Sequence, residues 1–256
     1  MKKIVVGIIV GAVLIGAGFG IGYFWRKSSE PVNKIVESKQ AMEVYEEFPV
    51  STVKKIHLQL KNENVKVSLS DNKYIRLVYQ PSTDGLTFKY SLNAGTLTMD
   101  VGEVEVSSGI VPNQREMIYL YLPKNSAIDL KIETGSGFID IDSVSLNSLD
   151  AKTQTGLVSL SNSNLITASS LDVSSGKIFQ HQVTFTDLNI TTKSSSIYLQ
   201  LPQKLEAMSY SLAGTSILLN HQPLEVTSQT ITGNILKIDD PNGTISLTEP
   251  AETVGG

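Results

Sequence analysis

The 256-residue chain contains no cysteine, which removes disulfides, thiolate metal sites, iron–sulfur clusters and cysteine nucleophiles together. Histidine is nearly as scarce. His57, His181 and His221 lie far apart and none belongs to a pair at metal-ligand spacing, so each reads as a solvent-facing or core-edge side chain. The many serines include no G-x-S-x-G elbow, which leaves a Ser-His-Asp arrangement without its anchor.

Positive charge is also short. Lysine and arginine number 21 against 25 acids. Six of the cations (Lys2, Lys3, Arg26, Lys27, Lys34, Lys39) fall in the first 44 residues beside three acids, so residues 45–256 carry 15 against 22, a net of −7. A body of that sign gains nothing from counterion release, and no nucleic-acid partner is expected. Hydrophobic residues make up 41% of the chain, enough to build a core and to set disorder aside.

One long apolar run stands at the start. Ile4 to Phe24, 21 residues without a charge, is flanked by Lys2 and Lys3 before it and by Arg26 and Lys27 after it. As a helix it spans roughly 30 Å, the hydrocarbon thickness of a bilayer, with Tyr23 and Trp25 as an interfacial belt. A cleaved signal peptide has a shorter apolar region and a small-residue cleavage site, so an uncleaved anchor in the lipid bilayer is expected over residues 1–27. Cations on both sides leave its orientation open on charge alone. The Ser-, Thr- and Asn-rich body without a cytoplasmic catalytic signature places the C-terminal domain outside the cell, on a single-pass cell-membrane protein. Gly7 and Gly11 stand at the four-residue spacing that lets membrane helices approach closely, although glycine is common in such helices in any case. Residues 28–48 read as a polar, partly helical juxtamembrane stalk.

From Val53 onward the apolar period is two, as in Ile56, Leu58 and Leu60 and then Val65, Val67 and Leu69, which is the pattern of strands. A unit recurs. Beneath Ile132-Glu-Thr-Gly-Ser-Gly137-Phe-Ile139-Asp-Ile141 stand the stretches 151–160, 171–180, 190–199 and 210–219. Their turn positions are 137, 156, 176, 195 and 215, spaced 19, 20, 19 and 20 residues apart. A further copy at 238–247 follows after an irregular 28. A repeat near 20 residues made of strands and turns predicts an all-β fold, a parallel β-helix-like solenoid with coils of about 20 residues. It covers residues 49–249, with 250–256 as a flexible tail. Residues 50–122 read either as early coils or as a separate cap. Ile132, Ile139 and Ile141 are expected to face inward and meet Ala151, Val158 and Leu160 of the next coil. Gln180 stands where the unit asks for an apolar residue.

The opening pair IHLQLKNENVKVSLS, the later IYLYLP and the repeated T-x-[ST]-G-x-[IV]-x-[LI] coil, behind a membrane helix, resemble a bacterial β-strand-repeat family of unknown function that carries the label adhesin. Members of that kind occur in envelope-stress systems. The resemblance implies a parallel β-helix-like fold and an extracytoplasmic position, and it carries over no catalytic residue.

Three motifs invite chemistry. Gly135 and Gly137 do not match a phosphate loop, which needs a following Lys-Ser/Thr, nor a dinucleotide fingerprint; they read as turn residues. Asp140 and Asp142, two apart on one strand and so about 7 Å apart on one face, could serve a polysaccharide-cleaving pair, but any alternating strand with outward aspartates looks the same. Asp240, Asn242, Gly243 and Glu249 imitate positions of a calcium loop whose first position is Ile238, while Asp-Pro-Asn-Gly is a strong β-turn on its own. No catalytic residue, cofactor or metal is therefore assigned. The expected role is a binding or interaction module for an envelope protein or glycan. A polysaccharide-active enzyme and a structural spacer are the alternatives.

Overall fold

The computed structural model describes residues 32–37, 44–80, 87–101, 117–124 and 126–251. The expected membrane helix, with Gly7 and Gly11, lies outside them. Among the described residues there are eighteen strands, two 3-10 turns and no α-helix, and no helix is long and apolar enough to cross a membrane.

The strands are β1 Val32–Glu37, β2 Val44–Pro49, β3 Lys55–Gln59, β4 Asn64–Ser70, β5 Tyr74–Gln80, β6 Thr87–Asn93, β7 Thr96–Val101, β8 Met117–Pro123, β9 Asp129–Thr134, β10 Ile139–Asp142, β11 Ser145–Leu146, β12 Ser148–Ser161, β13 Asn164–His181, β14 Thr184–Gln200, β15 Ser209–Leu219, β16 Gln222–Pro223, β17 Ser228–Gln229 and β18 Ile235–Thr248. They form one open sheet that does not close on itself.

Two ladders run along it. The first follows β1–β6–β7–β3–β9 and then the first halves of β12, β13, β14, β18 and β15. The second follows β2–β5–β8–β4–β10 and then the second halves of the same long strands. Pairing is parallel through the middle of both ladders and antiparallel at their ends.

Register explains the repeat. Ile132, Ala151, Leu171, Ile190, Ile238 and Leu212 are successive partners along the first ladder, and Ile139, Val158, Ile178, Ile197, Ile245 and Ile217 along the second. Nearly all of them are buried in one continuous core, with Ile217 packed against it from a half-buried position. Each fully buried Val, Leu or Ile side chain contributes roughly 1.5–3 kcal/mol of transfer free energy.

The order of the last two coils differs from their order in the chain. β18 lies between β14 and β15, so residues 209–219 do not stack on 190–199 as the repeat suggested. The chain skips one level, forms the outermost parallel strand, and returns through β16 and β17 to fill the gap. The irregular 28-residue interval is this return. The N-terminal end shows the same inversion, with β3 and β4 stacked directly on β9 and β10 while the later β7 and β8 lie outside them. The described residues between 50 and 122 are thus part coil and part antiparallel cap.

Of the segment 28–48, expected to be a partly helical stalk, the described residues 32–37 and 44–48 are strand and correct that expectation. They belong to β1 and β2, which pair antiparallel with β6 and β5 at the end of the stack. Backbone pairing to an otherwise open edge outweighs the helix-forming residues in this stretch.

Two corners join the ladders. Gly137, Gly156, Gly176, Ser195 and Gly243 occupy the first, where a Cβ on Gly137, Gly156 or Gly176 would collide with a backbone carbonyl of the neighbouring coil. Their smallness serves close stacking, and among these glycines only Gly176 (φ 154°) also has a backbone that disfavours a side chain. The second corner holds Ser143, Asn162 and Gln182, all non-glycine residues at positive φ (60°, 48° and 52°). Gln180 is buried (3% exposed) and its Nε2 donates to the Val183 carbonyl at 3.1 Å. It ties down the backbone beside that corner, while its Oε1 is buried without a hydrogen-bond partner.

Candidate functional site

The outward side chains of the two ladders differ in kind. On the first, charges alternate across strands: Lys131 Nζ lies 3.1 Å from Glu133 and 4.0 Å from Asp150, and Lys152 lies 3.1 Å from Asp172. His57 Nε2 is 3.0 Å from Glu133 Oε2, and that hydrogen bond, helped by Lys131, holds the Glu133 carboxyl below its ordinary range. Partly exposed pairs of this kind contribute about 1 kcal/mol or less each, so this side reads as a solvated, self-neutralised face.

On the second ladder the outward position between the two core residues of each coil reads Asp140, Ser159, Phe179, Tyr198, Ser246 and Leu218 in spatial order. Asp140 is 3.9 Å from Lys66 Nζ. Asp142, at the end of β10, accepts from Ser161 Oγ at 2.8 Å, Asn162 Nδ2 at 3.0 Å and Ser143 Oγ at 3.1 Å. The Asn162 bond is the largest cause of its lowered pKa. An acceptor so engaged stabilises the second corner as a carboxylate and is poorly placed to shuttle protons.

Phe179 and Tyr198 are 41% and 42% exposed, and their rings stack with centroids 4.9 Å apart and planes within 10°. A groove of about 540 Å³ opens beside Tyr198, floored by Ser246 and bounded by Leu218, with Gln200, Thr248, His181 and His221 on one rim and Ser216 and Thr244 on the other. Among the described residues, no lysine, arginine, aspartate or glutamate lines it. His181 and His221, which are 40 residues apart in the chain, both line this groove, and His57 lies on the other ladder. Sequence reasoning missed this groove, although the outward column was present in the aligned repeats.

The residues of the calcium-like pattern are not gathered. Asp240 is fully buried in the stack, where its Oδ1 accepts from the Ser195 N–H at 3.2 Å. Asn242 Nδ2 donates to the Lys193 carbonyl at 3.0 Å. Glu249 accepts from the Leu205 N–H at 2.9 Å and from Asn220 Nδ2 at 3.1 Å. No group of three or more His, Asp or Glu that could hold a metal occurs among the described residues. Gly135 and Gly137 face backbone carbonyls of Lys61 and Glu63, which repel an anion.

Residues 53–253 match the family described as Toastrack DUF4097. Among curated proteins none matches the chain. Its fold is similar to the crystal structure of a candidate cell adhesion protein from Clostridium sporogenes, at 14% identity over 87% of this chain and 100% of that one, with a TM-score of 0.42. It is also similar to a candidate adhesin from Bacteroides fragilis, at 11% identity over 82% and 98%, TM-score 0.43. A third is a candidate lipid binding protein from Parabacteroides distasonis, at 10% identity over 88% and 98%, TM-score 0.30.

Proposed function

Because the chain belongs to the Toastrack DUF4097 family, we propose that it is a non-enzymatic binding module of the cell envelope, a β-helix-like stack carried outside the membrane on the Ile4–Phe24 anchor and presenting the second ladder to an envelope protein or glycan. The observation that carries the reading is the contrast between the ladders. One neutralises its own charges, while the other leaves two aromatic rings exposed beside an uncharged groove. Exposed aromatic area costs solvation free energy that a ligand recovers on contact.

The engagement of Asp140 by Lys66 and of Asp142 by three donors argues against the acid pair of a glycosidase. Incubating the purified full chain with isolated envelope fragments separates binder from enzyme. The module reading expects retention with no soluble sugar released. Sugar release that Asp140→Asn abolishes overturns it.

A further inference from the structure

We propose that the groove beside Tyr198 is a slot for a single neutral pyranose ring of a glycan, held between the Tyr198 ring and the Leu218 side chain above Ser246. The proposal rests on the binding-module reading and names the ligand class of that site.

The width follows from the strand order. Phe179 and Tyr198 stand on adjacent strands and stack at 4.9 Å, so their planes lie across the direction in which the coils are stacked. The free face of Tyr198 therefore looks along the stack. The next strand, β18, offers only Ser246 at that position, and the one beyond it offers Leu218. Two strand spacings separate the Tyr198 and Leu218 columns by about 9.6 Å. A flat ring in van der Waals contact on both sides needs about 7–8 Å. The slot admits one ring and not two.

Its chemistry favours a sugar over the other flat groups. The apolar walls suit the C–H face of a pyranose, and the floor and rim supply hydroxyl, amide and imidazole groups from Ser246, Thr248, Gln200 and His221 to its hydroxyls. Gln200 is held in place because its Oε1 accepts from the Gln182 N–H at 3.2 Å, which leaves its NH₂ as a donor. An aromatic side chain would fill the walls but carries no hydroxyls for this rim, and so forfeits the hydrogen bonds that a sugar makes there. A peptide strand has no purchase, since β14, β18 and β15 are already paired to one another here and the slot lies on the face of the sheet. With no fixed charge among the described lining side chains, an anionic sugar gains nothing over a neutral one.

The test uses the purified full chain, saturation-transfer NMR, and tetramers of β-linked glucose and of N-acetylglucosamine, with a uronic-acid oligomer and a tyrosine-rich peptide as comparisons. Wild type is expected to bind a neutral tetramer in preference to the uronic-acid oligomer and the peptide. Ser246→Phe fills the slot by extending the aromatic stack, and Tyr198→Ala removes one wall. Each is expected to weaken binding at least ten-fold while circular dichroism and melting stay close to wild type. Neutral-sugar binding that Ser246→Phe and Tyr198→Ala both leave unchanged overturns the slot, as does a preference for the peptide or the uronic acid, or no binding to either tetramer. Retention of wild type and Ser246→Phe on envelope fragments separates the two levels of the account: equal retention sinks the slot and leaves the module reading standing, whereas no retention of either sinks both.

Discussion

Gly176 lies directly over Gly156, so close that a Cβ on Gly176 would sit inside the radius of the Gly156 carbonyl oxygen. Its φ of 154° also disfavours a side chain. Gly176→Ala is therefore expected to destabilise the fold by about 3 kcal/mol, through overpacking and backbone strain together. Ser195 occupies the same column on the next coil with only a 3.3 Å hydrogen bond from its Oγ to the Val173 carbonyl. Ser195→Ala should cost about 1 kcal/mol. Urea unfolding of the two variants checks the contrast, and equal effects would show that the coils can part to admit a Cβ.

The inverted order of the last coils can be read by cross-linking, since the chain has no cysteine of its own. Asn189 and Lys237 are register partners on β14 and β18, and Lys237 and Ser211 are partners on β18 and β15. Asn189→Cys with Lys237→Cys should oxidise to a disulfide. Asn189→Cys with Ser211→Cys should not, because the Cα atoms two strands apart lie about 9.6 Å from each other, beyond the usual disulfide span. Non-reducing electrophoresis gives the result, and the opposite pattern would restore stacking in chain order.

Acid should loosen the second corner. The Asn162 bond, with those from Ser161 and Ser143, lowers the Asp142 pKa in the folded chain. A carboxyl whose folded pKa is below its unfolded value contributes stability that is complete above the unfolded value and is lost as pH falls through the folded one. Asp129 and Glu133 shift in the same direction, through Asn147 and His57 first. Melting temperature is thus expected to decline from about pH 5 to about pH 3. Asp142→Asn should be about 1 kcal/mol less stable at neutral pH, and its melting temperature should decline less steeply on acidification. An identical slope in the variant would remove Asp142 from the corner's acid response.

The all-β class and the coil length were legible in the sequence because Gly137, Gly156, Gly176 and Ser195 recur at nearly constant spacing and each precedes an alternating inward pair, apolar throughout except for Gln180. Periodicity identifies a unit but not the level it occupies. Residues 209–219 and 235–248 both satisfy the pattern, and only long-range pairing decides which of them meets β14. The strands Val32–Glu37 and Val44–Pro49 were hidden for a related reason: they alternate charged and apolar residues weakly, and edges of the cap at β6 and β5 select them. The site was half visible. The outward column of aspartate, serine, phenylalanine and tyrosine could be read from aligned repeats, but the gap beside Tyr198 exists only because Ser246 and not Leu218 is its neighbour.

The groove side of the stack, and not the charged side, is expected to meet an envelope component outside the cell. Photo-reactive residues placed singly at Gln200, on the groove rim, and at Asn189, an exposed position on the charged ladder, test this on intact cells. A high-mass adduct is expected from position 200 and little from 189, with the adduct removed by protease added outside the cells. Equal adducts from both positions, none from 200, or an adduct protected from external protease would contradict that expectation.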